Sequence, residues 1–201
     1  MASPKFPFTK IEFVDRLLAL QHKKKRVDFM HKVFPNNGIG AELGVFKGHF
    51  SPFLFKYTKA KKLHLIDLWY LLAPKWTWAQ GNQSTVDALR RILKIFKKEI
   101  ESERVIIHVG DDIEILKSFP NNYFDWVYID SSHAYDHTKQ ELLLLEQKVK
   151  PEGVISGDDW RPDKNHPHHG VFKAVTEFIA DRDYQIIYAD EQNLQWAIKQ
   201  M

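Results

Sequence analysis

Carboxylates follow each of five apolar stretches in this sequence. The stretches have the composition of buried β-strands, and the acids at their ends are Glu42, Asp67, Asp111 with Asp112, Asp130, and Asp158 with Asp159. In an open parallel sheet the carboxyl ends of the strands meet at one edge, and ligands bind there. Ordinary loop composition accounts for polar residues at these positions but not for an acid after every strand. The pattern therefore predicts a binding site that favours cationic or hydrogen-bond-donating ligands.

The apolar stretches alternate with helical patterns, which is typical of an α/β fold with a mostly parallel sheet covered on both faces. Strands are predicted to end near residues 42, 67, 110, 130 and 157, and helices to cover 84–101, 136–148 and 171–181. Two further strands, 184–189 and 194–199, read as an antiparallel hairpin. We expect one domain over 1–201, in which helices within 1–37 cap a core formed by 38–201.

A glycine-rich turn follows the first strand and reads Glu-x-Gly-x-x-x-Gly from Glu42 to Gly48, with Gly44 between them. Glycine permits the sharp turn and a close approach of the backbone to a ligand. A carboxylate at Glu42 would repel a pyrophosphate, and the Gly-x-Gly-x-x-Gly pattern of dinucleotide-binding folds is absent. The turn is better suited to a ligand with a cationic amine and no phosphate.

This motif and the strand-end acids resemble those of the class I S-adenosylmethionine-dependent methyltransferases, a Rossmann-like fold with seven strands and a C-terminal antiparallel hairpin. The resemblance implies that Glu42, Gly44 and Gly48 lie near the methionyl end of S-adenosyl-L-methionine. It also implies that Asp67 accepts hydrogen bonds from the ribose hydroxyls and that the segment Gly110, Asp111 and Asp112 contacts the adenine. For Asp111, a helix N-cap is an alternative role.

Three further acids resemble the metal site of bacterial metal-dependent small-molecule O-methyltransferases, of the macrocin and catechol O-methyltransferase type. Asp130, Asp158 and Asp159 match that site, which implies a divalent cation, with Mg²⁺ expected, and a small hydroxylated acceptor. Asp130 is also expected to bind the cofactor and to take part in catalysis. His133 is the candidate general base, although the catechol-type enzymes have a lysine at this place. A histidine that only hydrogen-bonds the loop or the cofactor is the alternative.

Other residues near these motifs leave several roles open. His169 is the most favoured of His166, His168 and His169 to reach the pocket. Aromatic walls or core packing both suit Trp69, Trp76, Trp78 and Trp160. The basic run 23–26 is interpreted as a solvated helix face.

The overall composition limits the function classes. The chain has 201 residues, a net charge of +3 and no cysteine, which excludes disulfides and thiolate chemistry and argues against a nucleic-acid partner. Lacking a long apolar run or a signal peptide, it is expected to be cytoplasmic and not membrane-bound, and a homo-oligomer stays open. The alternatives to a methyltransferase are an NAD-type oxidoreductase and a non-catalytic cofactor-binding module.

Overall fold

A seven-stranded sheet with helices on both faces forms the centre of the computed structural model, which describes residues 25–69 and 82–201. The strand order is β3-β2-β1-β4-β5-β7-β6, and β7 runs antiparallel to both β5 and β6. The strands are β1 (Ile39–Leu43), β2 (Lys62–Asp67), β3 (Val105–Val109), β4 (Phe124–Ile129), β5 (Val149–Gly157), β6 (Tyr184–Asp190) and β7 (Gln195–Gln200). The predicted fold and its C-terminal hairpin are confirmed.

The described helices lie before β1 and in the connections between strands. They are α1 (residues 25–33), α2 (Ser51–Tyr57), α3 (Asn82–Ile95), α4 (Lys97–Glu101), α5 (Asp112–Ser118), α6 (Tyr135–Lys148) and α7 (His169–Ala180). The prediction of a single helix over 84–101 is wrong. The helix is interrupted at Phe96, whose side chain is buried in the core. The helix expected near residue 10 lies outside the described residues.

Two apolar layers hold the helices against the sheet. Successive residues of a strand point to opposite faces, and in β4 this places Trp126 and Tyr128 in one layer and Val127 and Ile129 in the other. All four side chains are almost completely buried. The central strand is therefore fixed from both sides, and its carboxyl end is held firmly where the acids begin.

The sheet reverses its strand order at β1, which pairs in parallel with β2 on one side and β4 on the other. The segment after β1 runs to one face of the sheet and the segment after β4 to the other. A crevice therefore opens at the carboxyl ends of these two strands, which is the usual ligand site of such sheets. Within the described parts of the chain, no helix has the length and apolar character needed to cross a membrane.

Candidate functional site

A cavity of about 710 Å³ lies at this crevice, between the carboxyl ends of β1, β2, β3 and β4. Most of the acids and glycines predicted from the sequence to bind a cofactor line it: Glu42, Gly44, Asp67, Gly110, Asp111, Asp112 and Asp130, together with His133. Gly48, Asp158 and Asp159 lie outside the lining. The volume is within the usual range for small-molecule sites.

Gly44 lets the turn after β1 pass directly beside the end of β4. Its φ is +81°, and a Cβ there would lie 2.0 Å from the backbone oxygen of Asp130. Only glycine fits, since no backbone atom can give way so far. Gly48 has a φ of +61°, and a Cβ there would meet the flexible end of Ile92 at 1.9 Å. Gly44 thus brings the glycine turn against Asp130.

Asp67 holds the same turn by its carboxylate. Its Oδ2 accepts hydrogen bonds from the backbone N–H groups of Val45 at 2.8 Å and Phe46 at 2.7 Å, and its Oδ1 accepts one from Trp69 at 2.7 Å. Phe46 and Trp69 have positive φ values of 42° and 40°. Strained backbone of this kind persists where the surrounding structure fixes it, commonly at functional sites.

Glu42 is 2% exposed, and within the described residues its Oε2 has no hydrogen-bond partner. Burial, followed by the nearby charges of Asp130 and Asp67, raises the pKa of Glu42 well above its ordinary value. A buried carboxyl group without a partner is costly unless a cation or a donor reaches it. Because Glu42 also lines the cavity, a ligand ammonium group fits this position.

Asp111 and Asp112 have different roles at the start of α5. Asp111 is the N-cap, and its Oδ1 accepts a hydrogen bond from the backbone of Glu114 at 3.2 Å, so the alternative role as a helix cap is confirmed. Asp112 is 8% exposed and lies 2.8 Å from Nε2 of His137. Burial alone would raise the pKa of Asp112, but the hydrogen bond to His137 lowers it below the ordinary value.

The sequence interpretation missed His137 and Glu141, which join Asp112 in what we call the α5–α6 cluster. Glu141 is completely buried and lies 3.8 Å from His137. Its Oε1 accepts a 2.6 Å hydrogen bond from Ser131, and burial, then the charge of Asp112, raises its pKa well above the usual value. The spacing of four residues, which puts His137 and Glu141 on one helix face, was the signal available.

A second group, the β4–β5 cluster, consists of Asp130, His133, Asp159 and His168 on the loops after β4 and β5. Nε2 of His133 lies 3.1 Å from Asp130 and 3.4 Å from Asp159, and Nδ1 of His168 lies 2.7 Å from Asp159. His133 and Asp159 have positive φ values of 58° and 59°. The preference for His169 was wrong: His168 lines the cavity, whereas Nδ1 of His169 lies 2.9 Å from the carbonyl oxygen of Arg161.

Asp158 is directed away from this cluster. Its Oδ2 accepts a hydrogen bond from Arg26 at 3.0 Å, and its Oδ1 accepts bonds from Gln195 at 2.7 Å and from the backbone of Asp159 at 2.9 Å. Burial, and then the charge of Asp130, raises the pKa of Asp158 to about 6. Of the three predicted metal ligands, Asp130 and Asp159 meet around His133, while the oxygens of Asp158 are already bonded.

His133 is more basic than its type suggests. Burial lowers its pKa, but the hydrogen bond to Asp130 and the charges of Asp130, Asp159 and Asp158 outweigh burial and raise it above the ordinary value. The imidazole is therefore held near carboxylates that stabilise its protonated form. A bound cation or ligand that compensates these charges would lower the pKa of His133 and favour proton abstraction by it.

The structure corrects the interpretation of Arg26 and decides between the roles left open for two of the tryptophans. Arg26 lines the cavity, stacks 5.0 Å over the ring of Phe50 and pairs with Asp158, so for this residue the solvated-face prediction is wrong. Trp160 is 5% exposed and packs on Phe172 in the core. Trp69 is fully buried while also bordering the cavity. Residues 23, 24, 76 and 78 lie outside the described ranges.

Comparison with known proteins identifies the fold and the family. The profile of the methyltransferase domain family matches residues 41–160, while no curated protein matches the chain in sequence. A proposed S-adenosylmethionine-dependent methyltransferase of Methanococcus maripaludis is similar in structure, with a TM-score of 0.61 and 18% identity over 100% of this chain and 96% of that one.

Two other solved structures show the same fold. A proposed rRNA methylase of Clostridium thermocellum has a TM-score of 0.62 and 12% identity over 90% of this chain and 96% of its own. TomG of Streptomyces achromogenes is an O-methyltransferase involved in tomaymycin synthesis, and its structure was solved with S-adenosylmethionine. It has a TM-score of 0.56 and 17% identity over 82% of this chain and 74% of its own. The family match spans more than half of the sequence and includes the glycine turn and all the strand-end acids. The chain therefore belongs to the methyltransferase domain family, and it shares its fold with S-adenosylmethionine-dependent methyltransferases.

Proposed function

We propose that this enzyme transfers the methyl group of S-adenosylmethionine to an oxygen of a small hydroxylated acceptor, with assistance from a divalent cation. The observation that carries the proposal is the β4–β5 cluster, in which two carboxylates and two imidazoles converge and all but Asp159 line the cavity beside the predicted cofactor residues. An alkyl hydroxyl is a poor nucleophile until its proton is removed. The cluster offers the donors and the base for that activation.

The cofactor is proposed to lie along the line of strand-end acids. Glu42, buried and without a partner on Oε2, suits the ammonium group of the methionyl end. Asp67 suits the ribose, because one lone pair of its Oδ1 remains free beside the bond from Trp69. Asp112 suits the adenine amine. These assignments agree with the direction of the cavity from β1 to β3.

The donor set of the β4–β5 cluster fits a divalent cation. Donor atoms of His133, Asp159 and His168 lie within 4.8 Å of one another, and Asp130 lies 3.1 Å from His133. Imidazole nitrogens widen the choice from Mg²⁺ to Mn²⁺, Fe²⁺ or Zn²⁺. Asp158 is not among these grouped donors, and its oxygens are bonded to Arg26 and Gln195. Such a cation lowers the pKa of a bound hydroxyl group and orients its oxygen.

The proposal favours a small acceptor. The cavity of about 710 Å³ must hold both the cofactor and the acceptor, so the space left for the acceptor is modest. TomG, which shares this fold, is an O-methyltransferase of a natural-product pathway. We therefore propose hydroxylated metabolites, such as catechols, sugars or polyketide-type compounds, as acceptors, rather than nucleic acid.

A calorimetric titration of S-adenosylhomocysteine into metal-stripped protein, repeated with Mg²⁺ and Mn²⁺, tests the cofactor part. Micromolar binding is expected in all three conditions. A panel of hydroxylated acceptors, assayed for release of S-adenosylhomocysteine, then tests the reaction. Asp130→Ala should remove the metal-stimulated turnover and retain cofactor binding, and Asp163→Asn, in an exposed nearby loop, is the matched control. Full turnover in excess chelator would refute the metal part and leave His133 as the base.

A further inference from the structure

We propose that the α5–α6 cluster, formed by Asp112, His137 and Glu141, is a second cation site that binds a divalent transition metal such as Zn²⁺. It lies at the adenine end of the cavity and shares no residue with the β4–β5 cluster. The inference does not depend on which acceptor is methylated or on whether methyl transfer needs a metal.

The geometry of the three side chains suits metal ligation. Their donor atoms lie within 4.8 Å of one another. Nε2 of His137 lies 2.8 Å from Asp112 Oδ1 and 3.8 Å from Glu141 Oε1. In a tetrahedral zinc site, with metal–ligand bonds of about 2.1 Å, neighbouring donor atoms are about 3.4 Å apart. The two observed separations lie on either side of that value, so small side-chain shifts suffice to place a cation among them.

An unpartnered atom provides an independent indication of a ligand. Glu141 is completely buried, and among the described residues its Oε2 has no hydrogen-bond partner. The companion atom Oε1 is fixed by Ser131 at 2.6 Å, which is how supporting residues orient a ligating carboxylate. Oε2 thus receives no hydrogen bond from a described donor, and a metal ion would satisfy it.

The cluster can balance the charge of a divalent ion. If a metal displaces the protons of Glu141 and His137, two buried carboxylates and a neutral imidazole match the charge of one such ion. The mixed nitrogen and oxygen donors suit Zn²⁺, Co²⁺ or Mn²⁺ better than Mg²⁺ or Ca²⁺. Asp112 and His137 line the cavity, so an ion has a path to the cluster from solvent.

A bound cation would join elements that are otherwise connected by side chains alone. Asp112 opens α5, and its Oδ1 is oriented by the backbone N–H of Ile113 at 2.7 Å. His137 and Glu141 lie four residues apart on α6. An ion held by both helices would fix the position of Asp112, the proposed contact of the adenine. The site is therefore expected to influence stability and cofactor affinity rather than the methyl-transfer step itself.

Metal binding by the α5–α6 cluster is tested in a variant whose β4–β5 cluster has lost two donors. The double variant Asp159→Asn, His168→Asn removes donors from the β4–β5 cluster and leaves the α5–α6 cluster intact. Calorimetry with Zn²⁺ is expected to show one equivalent bound by this protein, and Co²⁺ is expected to give the visible absorption of a four-coordinate site. Adding Glu141→Gln or His137→Asn should weaken Zn²⁺ binding at least 10-fold, whereas Asp136→Asn, exposed on the same helix, should not.

The outcomes separate this inference from the proposed function, because none of these measurements uses methyl transfer. Circular dichroism shows which variants fold, and Glu141→Gln, which keeps the size of the side chain, serves if His137→Asn does not fold. Binding of one equivalent of Zn²⁺ by the double variant, and loss of that binding when Glu141→Gln is added, support the site. Absence of Zn²⁺ uptake in the background variant, or uptake that Glu141→Gln leaves unchanged, overturns it and identifies the cluster as an ion pair beside a protonated Glu141.

Discussion

The β4–β5 cluster and the α5–α6 cluster use the same residue types in opposite settings. His133 and Asp159 lie on loops, with positive φ values of 58° and 59°, and Asp159 is also bonded to Arg161. His137 and Glu141 lie on a regular helix, and Glu141 is completely buried. Loops at a strand end can adjust to an acceptor, whereas a helix provides fixed positions. In the proposed function, the β4–β5 cluster therefore assists methyl transfer, and the α5–α6 cluster positions the adenine end of the cofactor.

The largest expected effect concerns the β4–β5 cluster. Asp159→Asn removes a carboxylate that faces both His133 and His168, so turnover should fall by about 100-fold or more. The affinity for S-adenosylhomocysteine, measured by calorimetry, should remain within about 3-fold of the unmodified protein, because Asp159 does not line the cofactor cavity.

Asp163→Asn is the matched control, since Asp163 is exposed in the same loop and its side chain accepts a hydrogen bond from the nearby backbone N–H of Asn165. If Asp159→Asn weakened cofactor binding as much as turnover, the division of roles between the two clusters would be wrong.

Gly44→Ala should disturb the contact between the glycine turn and the β4–β5 cluster. The added Cβ would lie 2.0 Å from the backbone oxygen of Asp130, at a φ of +81°, so the loop after β4 must move. The free energy of unfolding should fall by about 2–4 kcal/mol, as measured by urea denaturation.

Gly110→Ala is the control, because its Cβ would meet only the tip of Ile115, at 3.1 Å. A loss below about 1 kcal/mol is expected there. Equal losses in the two variants would show that the close approach at Asp130 does not constrain the turn.

The α5–α6 cluster is expected to give the opposite signature. Asp112→Asn should weaken S-adenosylhomocysteine binding by about 10-fold, through the loss of one charge-assisted hydrogen bond, and should change the turnover at saturating cofactor little. Binding is measured by calorimetry and turnover under saturation. Asp111→Asn is a close control, because asparagine is also a good N-cap and keeps the bond to Glu114. Comparable losses in both variants would remove Asp112 from the adenine contact.

The difference between the clusters also explains what the sequence could predict. Strand ends are visible as apolar runs followed by acids, so Glu42, Asp67 and Asp130 were located correctly at the cavity. Side-chain direction is not visible in this way. Asp158 follows β5 as expected, yet its oxygens are bonded to Arg26 and Gln195, which come from distant parts of the chain.

Helix-borne site residues were the hardest to find. Glu141 lies in a segment that reads as an ordinary helix, and only the packing of α5 on α6 shows that this acid is buried. The break between α3 and α4 was missed for a similar reason, since the burial of Phe96 in the core is a tertiary effect. Local patterns predicted the strands, the C-terminal hairpin and the ligand edge of the sheet, while contacts between distant segments decided which side chains meet.

Another pair of histidines, His64 and His108, provides the smallest test. The histidines of the two clusters face carboxylates, which raise the pKa of His133 and His137. Nδ1 of His64 instead lies 2.9 Å from His108, and burial, then the charges of His108 and Lys62, lowers the pKa of His64 to about 3. Between pH 6.5 and about 3 the unfolded chain therefore binds a proton at His64 that the folded chain does not.

The stabilising effect of neutral His64 is thus complete above pH 6.5 and is lost as the pH falls toward 3, by at most about 1.4 kcal/mol per pH unit. His64→Gln should reduce the slope of unfolding free energy against pH between pH 6.5 and 5, measured by urea denaturation at each pH. His31→Gln, at an exposed position of α1, should leave the slope unchanged. An unchanged slope in His64→Gln would mean that the acid sensitivity between pH 6.5 and 5 arises from other groups.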